Sequence, residues 1–282
     1  MLLPRFEYRP ATSLAQATTL LAERADARLL AGGTDLLVDL RERRQAPGLL
    51  VDVSGLPELG GIAVRDGSLW IGGGVTVAEL GRAPLVAERA PALHQAARDF
   101  ADYLTRNRAT VGGNLANGSP GADLVVPLLA LDTSVVLAGP AGERRVALDD
   151  FLEGPRRTAL RRGELVRAVV IPQGGGVQSW YKLGLKRGGA IAVVSVATCL
   201  RVGTDGRATG AAIALGAVGP RPFRAREAEA TLLGTSLDAG RVALAASRAA
   251  QAARPISDVR GSAEYRRAMV EALVTRGLGA AR

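Results

Sequence analysis

Two Gly-Gly steps, 80 positions apart, constrain this chain more than any other feature. One lies in Leu29-Leu30-Ala31-Gly32-Gly33-Thr34-Asp35-Leu36. The other lies in Thr110-Val111-Gly112-Gly113-Asn114-Leu115-Ala116-Asn117-Gly118-Ser119-Pro120, closing at Asp123. Each sits between an apolar run and hydroxyl or amide side chains. Glycine admits positive φ and lets a ligand approach without a Cβ in the way. Successive backbone N–H groups in such a turn form a concave anion site. Two of them suggest a ligand with two neighbouring phosphates, gripped from both sides. A Gly-Gly pair alone usually marks only a turn; here Thr34, Thr110 and Asn114 add phosphate donors, and Asp123 adds an acceptor for a sugar hydroxyl. The bland role for Asp123 is the N-cap of a helix over Leu124–Leu131.

Composition removes several alternatives. The 282 residues are enough for more than one domain. With 48% apolar residues, the chain is not broadly disordered. No apolar run is long enough to span a bilayer. The start, Met1-Leu2-Leu3-Pro4-Arg5-Phe6-Glu7, is not patterned as a signal peptide, so the cytoplasm is the expected location. One cysteine, Cys199, and one histidine, His94, cannot supply a zinc site or an iron–sulfur cluster. His94 reads as a boundary residue of an amphipathic helix, and Cys199 as a buried small residue in an alternating run. The formal charge is +9, but the arginines are scattered and aromatics are only 4%, so a nucleic-acid partner is not expected.

Patterning divides the chain into three parts. Residues 1–55 read as an α/β unit: a helix after Ser13, with Gln16 at capping-box spacing, a strand at Arg28–Ala31, the first glycine loop, a helix at Leu36–Arg43 and a strand at Leu49–Val53. A loop between strand and helix is a setting for phosphate. Residues 56–175 begin with a hairpin around Asp66-Gly67 and a second capping-box spacing, Thr76 and Glu79. A helix over Leu85–Phe100, the second glycine loop, an apolar helix at Asp123–Leu131 and strands at Ser134–Ala138 and Leu165–Ile171 follow. Residues 176–282 place three strands, Val177–Leu183, Ala190–Val202 and Ala211–Val218, before helices near 224–234, 238–253 and 262–276. That is an α+β order. Neither a Rossmann GxGxxG nor a Walker A sequence is present, so the phosphate site is of another type.

The two glycine segments resemble the FAD loops of the medium subunits of molybdenum hydroxylases, the family of xanthine dehydrogenase and aerobic carbon monoxide dehydrogenase. The resemblance covers the whole chain, including Ser262-Ala263-Glu264-Tyr265-Arg266-Arg267 in the helical tail. It implies an α+β protein: a two-subdomain FAD-binding fold of the PCMH type, plus a C-terminal domain of a small antiparallel sheet and helices. Leu29, Leu30, Ala31, Gly32, Gly33, Thr34, Asp35 and Leu36 match the first pyrophosphate loop, and Thr110, Val111, Gly112, Gly113 and Asn114 the second. Asp123 matches an acidic residue of the flavin site, Phe100 an aromatic against the ring, and Val166 an apolar cofactor contact. Lys182 matches a flavin-site lysine. Separately, the only two lysines, Lys182 and Lys186, fall within Trp180-Tyr181-Lys182-Leu183-Gly184-Leu185-Lys186-Arg187. A cation there would stabilise charge developing on the reduced flavin, which gives Lys182 the catalytic role. Trp180 and Tyr181 read as structural. Where many relatives carry Asp, this chain has Ala190, after Gly188-Gly189.

The resemblance implies an electron-transfer subunit. It would accept electrons from [2Fe–2S] clusters on a small subunit and pass them to quinone, NAD or dioxygen. A molybdopterin-binding large subunit would carry the molybdenum cofactor, and the assembly would be a dimer of heterotrimers. Two other readings compete: a stand-alone flavin oxidoreductase of the same superfamily, and a non-enzymatic basic binding module.

Overall fold

The computed structural model describes residues 3–186 and 189–280. Arg187, the last residue of the lysine-bearing segment, and Gly188 after it lie outside the described residues, as do Met1, Leu2, Ala281 and Arg282. Helix and strand are mixed throughout, giving an α+β protein of three sheets with helices packed on them, beside a two-stranded ribbon.

The first sheet is parallel, in the order β1 (Glu7–Pro10), β3 (Leu49–Asp52), β2 (Ala27–Leu30). Helix α1 (Leu14–Glu23) covers it, and Ala17, Leu20, Leu49 and Val51 form its core. Ser13 caps α1 by accepting from the Gln16 amide at 3.2 Å. The Gln16 side chain turns to the Thr12 amide instead of closing the box. The first glycine loop leaves β2 and enters α2 (Leu36–Arg41). Strand β1 carries no alternating pattern, since all four residues are exposed.

The second sheet is antiparallel: β4 (Ile62–Arg65), β5 (Ser68–Gly72), β10 (Leu165–Ile171), β6 (Ser134–Gly139), β7 (Gly142–Ala147). Between β5 and β6 run α3 (Val77–Leu80), α4 (Pro84–Arg89), α5 (Pro91–Asp99), α6 (Tyr103–Arg108), α7 (Val111–Ala116) and α8 (Val125–Ala130). Thr76 and Glu79 close a full capping box on α3. Between β7 and β10 lie α9 (Leu148–Phe151) and the ribbon of β8 (Leu152–Gly154) and β9 (Arg157–Thr158).

Three sequence expectations are corrected here. The helix over Leu85–Phe100 is two helices, because Pro91 has no amide to continue the ladder and Ala90 leaves the helical region at φ −141°, ψ 60°. The second Gly-Gly step sits inside helix α7 rather than in a loop. Asp123 does not cap the apolar helix: Leu124 holds the N-cap position of α8 without a side-chain bond.

The third sheet is β11 (Val177–Gly184), β12 (Ala192–Val202), β13 (Ala208–Gly216), β14 (Phe223–Arg224), all antiparallel. Helices α10 (Arg226–Ala230), α11 (Ala239–Ala252) and α12 (Ala263–Gly279) follow. Strand β12 is buried on both faces. Val194, Val196 and Leu200 pack under the last helices, whereas Ala197 and Cys199 join the core of the second region. A charge network reinforces this junction. Arg224 donates from Nε to Glu229 (2.5 Å), and from Nη1 to Asp132 (2.6 Å) and the Leu129 carbonyl (3.2 Å). No helix among the described residues is long and apolar enough to cross a membrane.

Candidate functional site: a glycine-walled cleft

A cavity of about 400 Å³ opens between the first sheet and the helices of the second region. Of the residues singled out in the sequence, Leu29, Ala31, Gly32, Gly33, Thr34, Asp35 and Leu36 line it from one side. Thr110, Gly112, Gly113 and Asn114 line it from the other, with Phe100 and Val166. Segments 80 positions apart therefore share one cleft. Leu30 and Val111 do not line it; they support it from behind. Leu30 packs beside Gly33, and Val111 is buried in the core.

The two glycine segments do different work. In the first, Gly33 has φ +75°, a conformation that glycine adopts without strain. Among the described residues, the amides of Gly32, Gly33 and Thr34 make no hydrogen bond, which leaves three donors for a ligand. In the second, the amides are already engaged. Val111 donates to Val75 O (2.9 Å), Gly112 to Gly73 O (2.7 Å) and Gly113 to Thr110 Oγ1 (3.1 Å). Here the glycines serve close packing. A Cβ on Gly112 would come within 2.8 Å of the Gly73 carbonyl oxygen, and one on Gly32 would overlap the Arg108 carbonyl. Replacing Thr110 by alanine removes the α7 cap and should cost about 1 kcal/mol, seen as a lowered midpoint in denaturant.

Gly73 and Gly74 line the cleft too, though in the sequence they appear only as a failed Rossmann spacing. A Cβ on Gly73 would overlap the Val166 carbonyl oxygen. The only signal for this role was the three-glycine run itself; its partners lie about forty and ninety positions away in the chain. Val53, Ser54, Asn107 and Asn117 also reach the cleft. At one end Asp39 is buried. Burial raises its carboxyl, but hydrogen bonds from Arg44 and Gln45 and the nearby Arg156 outweigh this and hold it below the ordinary range.

Asp123 and Lys182 do not line the cleft. They form a buried ion pair at 2.6 Å, each side chain 8% exposed. Lys182 Nζ also donates to the Asp99 carbonyl at 3.3 Å, next to the cleft-lining Phe100. Burial pushes the Asp123 carboxyl up to about 6 against the opposing pull of Lys182. Trp180, mostly buried, donates its indole N–H to Asp99 at 3.1 Å, and Tyr181 stacks under Arg276. Cys199 is buried, and burial raises its thiol. His94 is half-buried on α5. Ala190 stands beside Gly184, at the end of β11.

Four buried side-chain oxygens lack a partner among the described residues, and two of them belong to residues singled out in the sequence: Asn114 Oδ1 and Asp123 Oδ1. An unpaired buried acceptor is costly, and Asn114 belongs to the cleft wall. Free amides and hydroxyls at the glycine loop, an orphaned amide oxygen opposite, and apolar Phe100 and Val166 suit a ligand with both phosphates and a ring system. The fold and the cleft thus define a protein with a site suited to a nucleotide-like ligand.

Comparison with known proteins names the family. Residues 4–174 match the FAD binding domain in molybdopterin dehydrogenase, and residues 179–281 the CO dehydrogenase flavoprotein C-terminal domain. The chain is 35% identical to the carbon monoxide dehydrogenase medium chain of Hydrogenophaga pseudoflava, covering 100% of this chain and 98% of that one. It is 33% identical to the glyceraldehyde dehydrogenase medium chain of Sulfolobus acidocaldarius, over 97% of each. The structure superposes on a chain of the solved carbon monoxide dehydrogenase from Hydrogenophaga pseudoflava with a TM-score of 0.96, at 37% identity and covering 100% and 98% of the two chains. This chain belongs to the FAD-binding medium subunits of the molybdenum hydroxylases, and it is an oxidoreductase subunit whose cofactor is FAD.

Proposed function

We propose that this chain is the electron outlet of a three-component molybdenum hydroxylase. Electrons arrive from [2Fe–2S] clusters on a small subunit and leave for quinone, NAD or dioxygen; a molybdopterin-binding large subunit oxidises the substrate. The complex works in the cytoplasm as a dimer of heterotrimers. The observation that carries this reading is the cleft, with free amides on one wall and an orphaned Asn114 oxygen on the other. The composition supports it: one cysteine and one histidine leave this chain no cluster of its own, so the clusters belong to a partner.

FAD, when bound, supplies a carrier that takes up electrons from one partner and releases them to another. The chain's residues hold and tune it. Leu29–Leu36 carry the first pyrophosphate loop: the Gly32, Gly33 and Thr34 amides and the Thr34 hydroxyl donate to the phosphates. Thr110–Asn114 close the other side, where the free Asn114 oxygen accepts from a sugar hydroxyl of the cofactor rather than from the phosphates. Phe100 and Val166 supply apolar wall for the ring. Lys182 offers its cation, held in place by Asp123. Trp180 fixes Asp99 and thereby the turn that carries Phe100.

The test mixes the FAD-loaded full chain, without oxygen, with its dithionite-reduced iron–sulfur subunit in a stopped-flow cell. Bleaching of the flavin bands in step with recovery of the cluster bands is the expected result. Bound FAD that stays oxidised beside a reduced cluster contradicts the electron-outlet reading and favours a stand-alone flavoprotein.

A further inference from the structure

A second cavity, about 310 Å³, lies where α3, α5 and α6 meet. Three arginines line it, Arg82, Arg98 and Arg106, with Tyr103, over a floor that includes Ala78 and Gly81. Among the described residues none of the three arginines reaches a carboxylate at ion-pair distance, the Asp102 carboxylate interacting with Arg106 only from farther off. By contrast, Arg144 meets Glu164 through two hydrogen bonds, at 2.6 and 2.7 Å. Arg106 donates from Nη1 to the carbonyls of Phe100 (2.8 Å), Arg98 (3.3 Å) and Ala101 (3.4 Å). Among the described residues its Nε and Nη2 make no hydrogen bond, which leaves them to a ligand. Hydrogen bonds from Asn107 and Arg82 hold the Tyr103 phenol below its ordinary value.

Asp102, at the start of α6, offsets part of the Arg106 charge, but three like charges around one cavity still make a positive potential that a bound anion relieves. A guanidinium fork suits phosphate, which accepts paired N–H bonds. Small residues on the floor leave room for such a group. Arg106 ties this cavity to the FAD cleft, because it donates to the carbonyl of Phe100, which lines that cleft. Ala101, between them, has φ +36°, unusual for a residue other than glycine, and Arg106 braces this turn.

We propose that this cavity is an anion site that binds the phosphate of a small phosphorylated ligand beside the FAD cleft. The phosphate has two possible sources, a nucleotide, as in a dinucleotide electron acceptor, and free inorganic phosphate. The site stands independently of the electron-outlet reading.

The test is calorimetric titration of the full, FAD-loaded chain with ADP and with inorganic phosphate at low ionic strength. Saturable binding is expected, with phosphate competing against ADP. The Arg82→Gln, Arg98→Gln double variant should bind about tenfold more weakly or worse, the scale of one lost charge-assisted hydrogen bond. Its FAD content should be unchanged. Arg106 is left alone because it holds the turn. ADP binding well above phosphate identifies a nucleotide as the source; equal binding identifies free phosphate. Absence of saturable binding overturns the proposal. So does undiminished binding in the double variant, or release of FAD as ADP binds, which would place ADP in the main cleft. Binding lost on assembly with the partner subunits also overturns it, since the arginines then serve an interface. A chain that never retains FAD fails the cofactor assignment, a separate outcome.

Discussion

Gly32→Ala is expected to abolish retention of FAD. The new Cβ would overlap the carbonyl oxygen of Arg108 and stand 3.1 Å from the Cα of Ala109. Both obstacles are backbone, so neither can rotate away. The glycine loop and the end of α6 must part, and they are opposite walls of the cleft. Overpacking of this kind costs about 3 kcal/mol. Spent on the binding-competent arrangement, that is roughly a hundredfold in FAD affinity. Gly113→Ala is the control within the same site: its Cβ would meet only the Thr110 hydroxyl, at 2.9 Å. The expected order is therefore a large loss at Gly32 and a smaller one at Gly113. Flavin content after gel filtration checks it; equal retention by both variants would refute the packing argument.

The second large effect concerns the buried pair. Removing one partner of a buried ion pair strands a charge and typically costs about 3–5 kcal/mol. Lys182→Ala and Asp123→Asn should both lower stability, since each leaves its buried partner without a counter-charge. The double variant Asp123→Leu, Lys182→Met should recover most of the loss, because apolar replacements of similar size leave nothing unpaired. Denaturant titration of the three variants tests this. The pair also sharpens the role assigned to Lys182. It is half of a net-neutral unit rather than a free cation, so the single variants should shift the flavin potential in opposite directions. Lys182→Ala removes the positive end and lowers it; Asp123→Asn leaves an uncompensated cation and raises it.

The pH dependence follows from the same pair. Asp123 is raised from its ordinary value, 3.8, to about 6, so the folded chain binds this proton more tightly than the unfolded one. The contribution favouring the fold is complete below 3.8 and is lost as pH rises to about 6. Asp123→Asn should remove that slope from stability measured across this window.

What was legible in the sequence was local. The first glycine loop reads correctly because strand, loop and helix follow one another within a few residues, and the Asp66-Gly67 hairpin likewise. Pro91 announced a break, yet the apolar period ran on across it, and the period was the wrong guide. The second Gly-Gly step reads as a loop in the sequence, and glycine disfavours helix. Thr110 and the contact with Gly73 overrule that preference, and the latter is tertiary. The role of Gly73 and the pairing of Asp123 with Lys182, 59 positions apart, likewise exist only once distant segments meet. The arginine cavity was hidden for another reason: in a chain with so much arginine, three residues spread over 25 positions carry no pattern.

The central claim is that the glycine-walled cleft holds FAD without a covalent bond. It is tested most directly by purifying the full chain, measuring flavin per chain, and precipitating with mild acid. The account predicts one FAD per chain, all of it released to the supernatant, and its loss in Gly32→Ala. A folded, FAD-supplemented chain without flavin bands, or flavin that stays with the precipitate, would contradict it.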